Sequence, residues 1–325
     1  MRYLFSRLLF YFVAFFIAIS FNFLLPRLMP GDPVDALFAG AAGRMDPSQM
    51  DAVRAMYGFS EGTMLEQYGS YVVSVFSGDL GPSILMYPTE VTRVLGFTFP
   101  WTLFLVGIGV VAAILLGLVI GTIAAYRRGG WFASIMPPIT AVISSMPAVV
   151  TALLLFYFFG LKLQWFPLSY AADPAMEPGW HGAYLKSVAY HAVLPLFVII
   201  MVSLSQWVMV MRNSMINVLG EDMVTMAEAK GLSSSRIMLR YAARNAVLPV
   251  VTSVAMGLGF AVAGQIFIEI VFNYPGVGNT LLKAINARDY PLVQALLLLI
   301  VLFVLIGNFI ADLTYLWLDP RLRKS

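Results

Sequence analysis

Cysteine is absent from this sequence and charge is scarce: of 325 residues, only 11% are Asp, Glu, Lys or Arg. The first absence excludes disulfides, thiol nucleophiles and cysteine-based metal sites. The second excludes an ordinary soluble globule, whose wetted surface takes roughly a quarter of its residues as charged. Histidine is almost as rare: His181 and His191 stand ten apart, without partners at metal-ligand spacing, so no metal site is expected. Also missing are a G-x-x-x-x-G-K-[ST] phosphate loop, a convincing internal repeat and any nucleophile–base constellation. The chain is therefore expected to bind no cofactor and to catalyse nothing by itself. Nucleic acid is not among its expected partners.

What is present is apolar. Hydrophobic residues make up 60% of the chain and the mean hydropathy is +0.84. Six stretches are long enough to cross a hydrocarbon core, which needs about 20 helical residues. They run Leu8–Leu25, Trp101–Tyr126, Phe132–Phe159, His191–Met211, Val247–Phe272 and Leu292–Trp317. The fold class expected is an all-α polytopic membrane protein in contact with the lipid bilayer. The first stretch follows Arg2 and Arg7 as a signal peptide would, but no small-x-small site follows closely, so it reads as an uncleaved anchor.

Basic residues set the orientation. With the N-terminus inside and the spans alternating, inner segments hold twelve of the twenty, including the Arg127-Arg128 pair and the Arg321-Leu-Arg-Lys324 tail. The outer eight are diluted over longer loops and offset by acids such as Asp32, Asp35, Asp46, Asp51 and Asp79. Both termini are expected in the cytoplasm. The organisation expected is an anchor helix at 1–28, an external subdomain at 29–96, a five-helix core at 97–316 and a tail at 317–325. Apolar spacing around Gln49–Tyr57 and Leu65–Phe76 predicts short amphipathic helices in the external segment. A second outer loop, Gly160–Tyr190, carries Trp165 and Trp180, which suit either an interfacial belt or a substrate-stacking surface.

The most informative segment is the inner loop at 212–246, far longer than a connector needs. Glu221 and Asp222 suit a helix N-terminus, where the macrodipole favours negative charge. Met223, Met226, Ala227 and Lys230 follow at i, i+3, i+4 and i+7, the spacing of a short amphipathic helix that also takes in Glu228 and Ala229. Gly231 is placed to end it in a left-handed conformation. Ser233–Ser235 offer cap oxygens to a second helix with Arg236, Arg240 and Arg244 along one face, and Pro249 falls where that helix enters the membrane. Such a pair suits two surfaces: anionic lipid headgroups, or a groove on a partner protein that takes an adaptable methionine.

Ala227-Glu-Ala-Lys-Gly-Leu232, with Arg240-Tyr-Ala-Ala-Arg-Asn-Ala-Val-Leu-Pro249 behind it, resembles the EAA-type loop of ABC importer permeases, closest to the dipeptide/oligopeptide branch. Four further stretches are similar to that branch, in its order along the chain. They are Arg27-Leu-Met-Pro-Gly-Asp-Pro33, Phe272-Asn-Tyr-Pro-Gly-Val-Gly278, Arg288-Asp-Tyr-Pro291 and Leu318-Asp-Pro-Arg321. The family's Glu-Ala-Ala triplet reads Thr225-Met226-Ala227 here, so no role passes to a glutamate at that place.

The resemblance implies the type I permease fold in a bacterial or archaeal inner membrane. It implies a helix around Met223–Gly231 that couples to two cytosolic ATPase subunits, which would hold the ATP and Mg. It further implies a second, homologous permease subunit and an extracytoplasmic binding protein. Among ionisable or polar residues inside spans, Gln206, Glu269 and Asp312 are translocation-path candidates, because such groups are costly in lipid. The substrate class implied is peptide. Met211–Ile216 and Met226–Lys230 read closer to relatives that import oligosaccharides, which stands as the alternative. An ion-coupled secondary transporter is the rival of another class, and it would need repeats or broken helices around a midplane site.

Overall fold

The structure is a computed structural model that describes residues 2–28, 63–127 and 129–318, and among these there is no strand, only one isolated bridge between Pro82 and Glu90. Helix α1 covers Arg2–Leu28 and α2 covers Met64–Ser77. Next come α3, Val91–Tyr126, and α4, Trp131–Ser145. After them α5, Ala148–Leu155, runs on into a π-helical stretch at Phe156–Lys162. The longest helix is α6, Gly182–Leu219, and α7, Asp222–Ala229, follows it at once. A three-residue turn α8, Ser234–Arg236, opens into a π-helical stretch at Ile237–Ala243 and then α9, Arg244–Gly264. The chain closes with α10, Ile266–Val271, α11, Val277–Asn286, and α12, Tyr290–Leu318.

Four of these helices (α1, α3, α6 and α12) are long and apolar enough to cross a membrane alone, and the pair from Trp131 to Lys162 passes the same test together. The first and sixth expected spans lie inside α1 and α12. The second and fourth are corrected outward: α3 begins at Val91 rather than Trp101, and α6 begins at Gly182 and ends at Leu219 rather than at His191 and Met211. The cause is that a helix need not stop where the bilayer does. At 1.5 Å per residue, the 38 residues of α6 extend about 57 Å, against a hydrocarbon core of about 30 Å. Pro100, which marked the expected start of the second span, is accommodated inside α3.

The third and fifth expected spans are corrected in kind. The third is broken at Met146-Pro147, where the two halves bend by 99°. A proline lacks the amide donor that a continuing helix requires. The fifth is interrupted at Gln265, between α9 and the six-residue α10. The expected helix at Gln49–Tyr57 and the 321–324 tail lie outside the described residues. The expected helix at Leu65–Phe76 is α2. It starts with a reciprocal capping box between Thr63 and Glu66 and ends at Gly78, with φ 76°. Accepting the Thr63 backbone amide holds the exposed Glu66 carboxyl below its ordinary pKa.

The chain divides into two compact units. One joins Met1–Thr102 to Pro275–Ile306 and the other joins Leu103–Tyr274 to Gly307–Ser325. In the first, Val91 and Val94 of α3 pack with Val277, Leu281 and Ala284 of α11 and with Leu292 and Leu296 of α12. Asp289, fully buried, organises the approach to α12. Its carboxylate accepts from the Ser83 hydroxyl, from the Leu85 amide at 2.9 Å and from the Leu292 amide at 3.1 Å, the last being an N-cap bond.

The second unit is built on close contact of α3 with α6. Gly109, Ala113, Gly117, Gly121 and Ala125 recur every fourth residue, which puts them on one ridge of α3. A methyl added to Gly109 would lie 2.5 Å from Ile199 Cγ2, one on Gly117 2.4 Å from Trp207 Cβ, and one on Gly121 2.8 Å from Met211 Cβ. Each of these pairs is separated by 90 positions, so the two helices run parallel. Lipid supplies no hydrophobic drive between helices, so small residues that let backbones approach carry the packing.

Candidate coupling site

The loop at 212–246 begins as the last turns of α6, which is capped at Gly220 and passes directly into α7. Glu221 takes the N-cap position with extended backbone (φ −82°, ψ 150°), and Asp222 opens the first turn. The end of α7 is built as the glycine predicts. Gly231 has φ 70°, its amide donates to Glu228 O at 2.8 Å, and the Leu232 amide donates to Ala227 O at 3.3 Å. These two bonds make a Schellman motif. Leu232 packs back on Val224 and Ala227, the apolar contact that accompanies it. A methyl placed on Gly231 would meet nothing within 4 Å, so the requirement for glycine there is purely one of backbone sign.

The amphipathic stripe is corrected. Val224 and Ala227 are the buried residues of α7, and they pack with Ile237, Tyr126, Leu219 and Tyr241, with Met223 half-buried beside them. Met226 is 60% exposed. At about 100° per residue, Met226 stands roughly 200° round the helix from Val224, on the opposite face. It shares the exposed surface with Glu221, Asp222, Thr225, Glu228, Ala229, Lys230 and Gly231. The spacing i, i+3, i+4, i+7 put Met223, Met226, Ala227 and Lys230 on one stripe, whereas Ala227 turns inward with Val224 and only Met226 and Lys230 stand outward, as a methionine offered to a partner requires.

The loop is tied firmly to the membrane helices. Ala125, Met211, Met215, Val218, Ala242, Ala246 and Val250 form one buried cluster uniting the ends of α3, α6 and α9. The Ser214 hydroxyl donates to Ala246 O at 2.7 Å. Asn245 Nδ2 donates to Tyr241 O at 2.7 Å and lies 3.5 Å from Met223 Sδ, tying α7 to the α9 stem. Ser233 stands at the expected cap position, but its side chain makes no cap bond; its carbonyl accepts from the Arg236 and Ile237 amides instead. Arg236, Arg240 and Arg244 are all exposed, as one basic face requires. Pro249 lies inside α9, so the stem enters the membrane as one continuous helix rather than turning there.

The path candidates fall on three helices. Gln206 is exposed on α6, between buried Ser205 and Trp207. Asp312 is half-buried on α12. Glu269 on α10 is 1% exposed, just beyond the interruption at Gln265. Burial, together with the Glu269 carboxylate, raises the Tyr274 phenol above its ordinary pKa. The reading of the sequence missed Asp289 and the break at Gln265. The first was signalled by an aspartate two residues before Pro291, an N-cap followed by a first-turn proline.

Among the described residues no group of His, Asp or Glu is placed to hold a metal ion. Four long apolar helices and one bent pair, with a packed helical loop at 212–246, make a multi-span helical body. The chain belongs to the family of binding-protein-dependent transport system inner membrane components, which its residues 117–324 match. It is thus a permease component of an ABC importer, a multi-pass inner-membrane subunit and not itself an enzyme. It is 34% identical over 303 residues to a candidate peptide permease of Brucella suis, covering 93% of each chain. It is 33% identical over 325 residues to a di/tripeptide transport system permease protein of Pseudomonas aeruginosa, covering 96% of this chain and 95% of the relative. An oligopeptide transport system permease protein of Haemophilus influenzae is 32% identical over 323 residues, 99% of each.

Proposed function

We infer that this subunit forms half of a peptide translocation path, with a homologous second permease completing it, and that α7 is its coupling helix. The observation that carries the reading is the exposed face of α7 on a stem fixed to α3, α6 and α9. A partner that moves α7 must move those helices with it. Two cytosolic ATPases, holding ATP and Mg, close on nucleotide and carry α7; the spans then rock between inward- and outward-facing states. Both termini lie in the cytoplasm, and a binding protein delivers substrate at the external segment. Peptide as cargo is supported by what the relatives carry.

Gln206 is the path candidate best placed to meet cargo, since it is exposed in mid-helix. Glu269 and Asp312 act there only if the moving helices uncover them. Replacing Gly231 by Val tests the coupling role. The expected result is normal insertion with loss of transport and of ATPase stimulation by the binding protein. Wild-type stimulation in Gly231→Val would sink the assignment.

A further inference from the structure

Helix α2 is not a surface decoration of the external segment. It runs antiparallel to α1 and descends along it. The contacts give the order: Arg27 Nη2 donates to Gln67 Oε1 at 2.8 Å, Asn22 Nδ2 to the Tyr71 hydroxyl at 2.9 Å, and Phe76 lies 6.0 Å from Phe16 and 6.3 Å from Phe15 between ring centroids. The apolar crossing of α1 is Ser6–Leu25. Phe16 lies nine residues inside Leu25, about 13 Å down the helix axis. The C-terminal turn of α2 therefore stands level with the middle of a transmembrane helix.

The composition of α2 changes along that descent. The polar capping box of Thr63 and Glu66 is at its upper end, and no charged residue follows Glu66 until Asp79. Tyr68 and Tyr71 spend their hydroxyls on Ser20 and Asn22 of α1, so neither is left unsatisfied where water is scarce. Leu65 and Val73, which make no ring contact or side-chain hydrogen bond with α1, are 80% and 67% exposed, and Phe76 at the edge of the seam is still 59% exposed beyond its contacts with Phe15 and Phe16. Beside this seam, an apolar groove of about 410 Å³ follows α1 from Phe12 to Leu24. Phe12, Val13, Ile17 and Phe21, which line that groove, are themselves exposed apolar residues of the α1 crossing.

We propose that α2 is a membrane-embedded re-entrant helix whose Val73–Phe76 face contacts lipid acyl chains in the leaflet at the Arg27 end of α1. It broadens the single anchor helix into a two-helix wedge. The absence of cysteine from this chain makes the test direct, since a single introduced cysteine carries the only label when this subunit is labelled before assembly with its partners. In the complete importer in proteoliposomes, spin labels on Val73→Cys and Phe76→Cys are compared with Phe12→Cys on mid-span α1 and Trp180→Cys, a position 96% exposed in the outer loop. The expected result is ready collision with oxygen and little with a water-soluble nickel chelate, as at position 12. Chelate access equal to that at position 180 would overturn the proposal by placing α2 in water. Shielding from both reagents would overturn it by placing a protein there. Val73 makes no ring contact, so it carries the measurement even if Phe76→Cys loosens the seam.

Discussion

At Gly231 the chemistry of a single residue is isolated. Its left-handed backbone is needed to close the Schellman motif, and no neighbour restricts its size. A β-branched residue there costs on the order of 1–2 kcal/mol of backbone strain. Asparagine, which tolerates the same region, costs far less. Gly231→Asn is thus expected to retain transport that Gly231→Val loses, measured side by side in uptake assays. Asp289 gives a second residue-scale prediction. Asp289→Ala leaves the buried Ser83 hydroxyl without its acceptor, a penalty of roughly 1–3 kcal/mol, and frees the part-buried Leu85 amide at a smaller cost. It should lower the thermal unfolding temperature of the purified subunit, with Asp289→Asn recovering part of the loss. Gly231 was legible in the sequence because a glycine after a short helical repeat has one common use. Asp289 was passed over because its partners lie about two hundred positions away, and no local pattern announces them.

At the scale of elements, the ridge of small residues on α3 sets how closely α6 can approach. Gly117→Leu would drive a side chain into Trp207 Cβ and the backbone of residues 207 and 208, none of which can swing aside. Overpacking of this kind costs about 1–3 kcal/mol or more. The expected outcome is a clear drop in folded yield for Gly117→Leu. Gly107→Leu, where an added Cβ meets nothing within 4 Å, serves as the tolerant comparison. Helix existence was legible from hydropathy at α1, α3, α6 and α12, but helix ends were not. Arg93 and Lys186 read as loop residues because charge leaves the bilayer, yet both continue helices beyond it. The breaks at Met146-Pro147 and Gln265 escaped because an unbroken apolar run looks the same whether straight or bent. The inward face of α7 was incompletely read for a related reason: two turns of helix leave periodicity too few residues to pick out Val224 and Ala227 as the buried pair.

For the whole molecule, the account makes this chain a passive lever. The helices that cross the membrane hold α7 out at one end, with Val224 and Ala227 locked inward and Met226 presented outward. On the proposed reading, driving force comes from a partner that grips the exposed face. The proposed coupling role is read from the loop at 212–246 together with the missing phosphate loop, whereas the parallel seating of α3 on α6 had no separate signal in either segment. The most direct measurement exploits the same contrast of faces. Cysteines are introduced one at a time at Met226, Val224 and Ala227 in the assembled importer, and cross-linking to the ATPase subunits is followed. The account predicts a cross-linked product from position 226 and none from positions 224 or 227. Absence of any product at 226, or equal yields from all three positions, would contradict it.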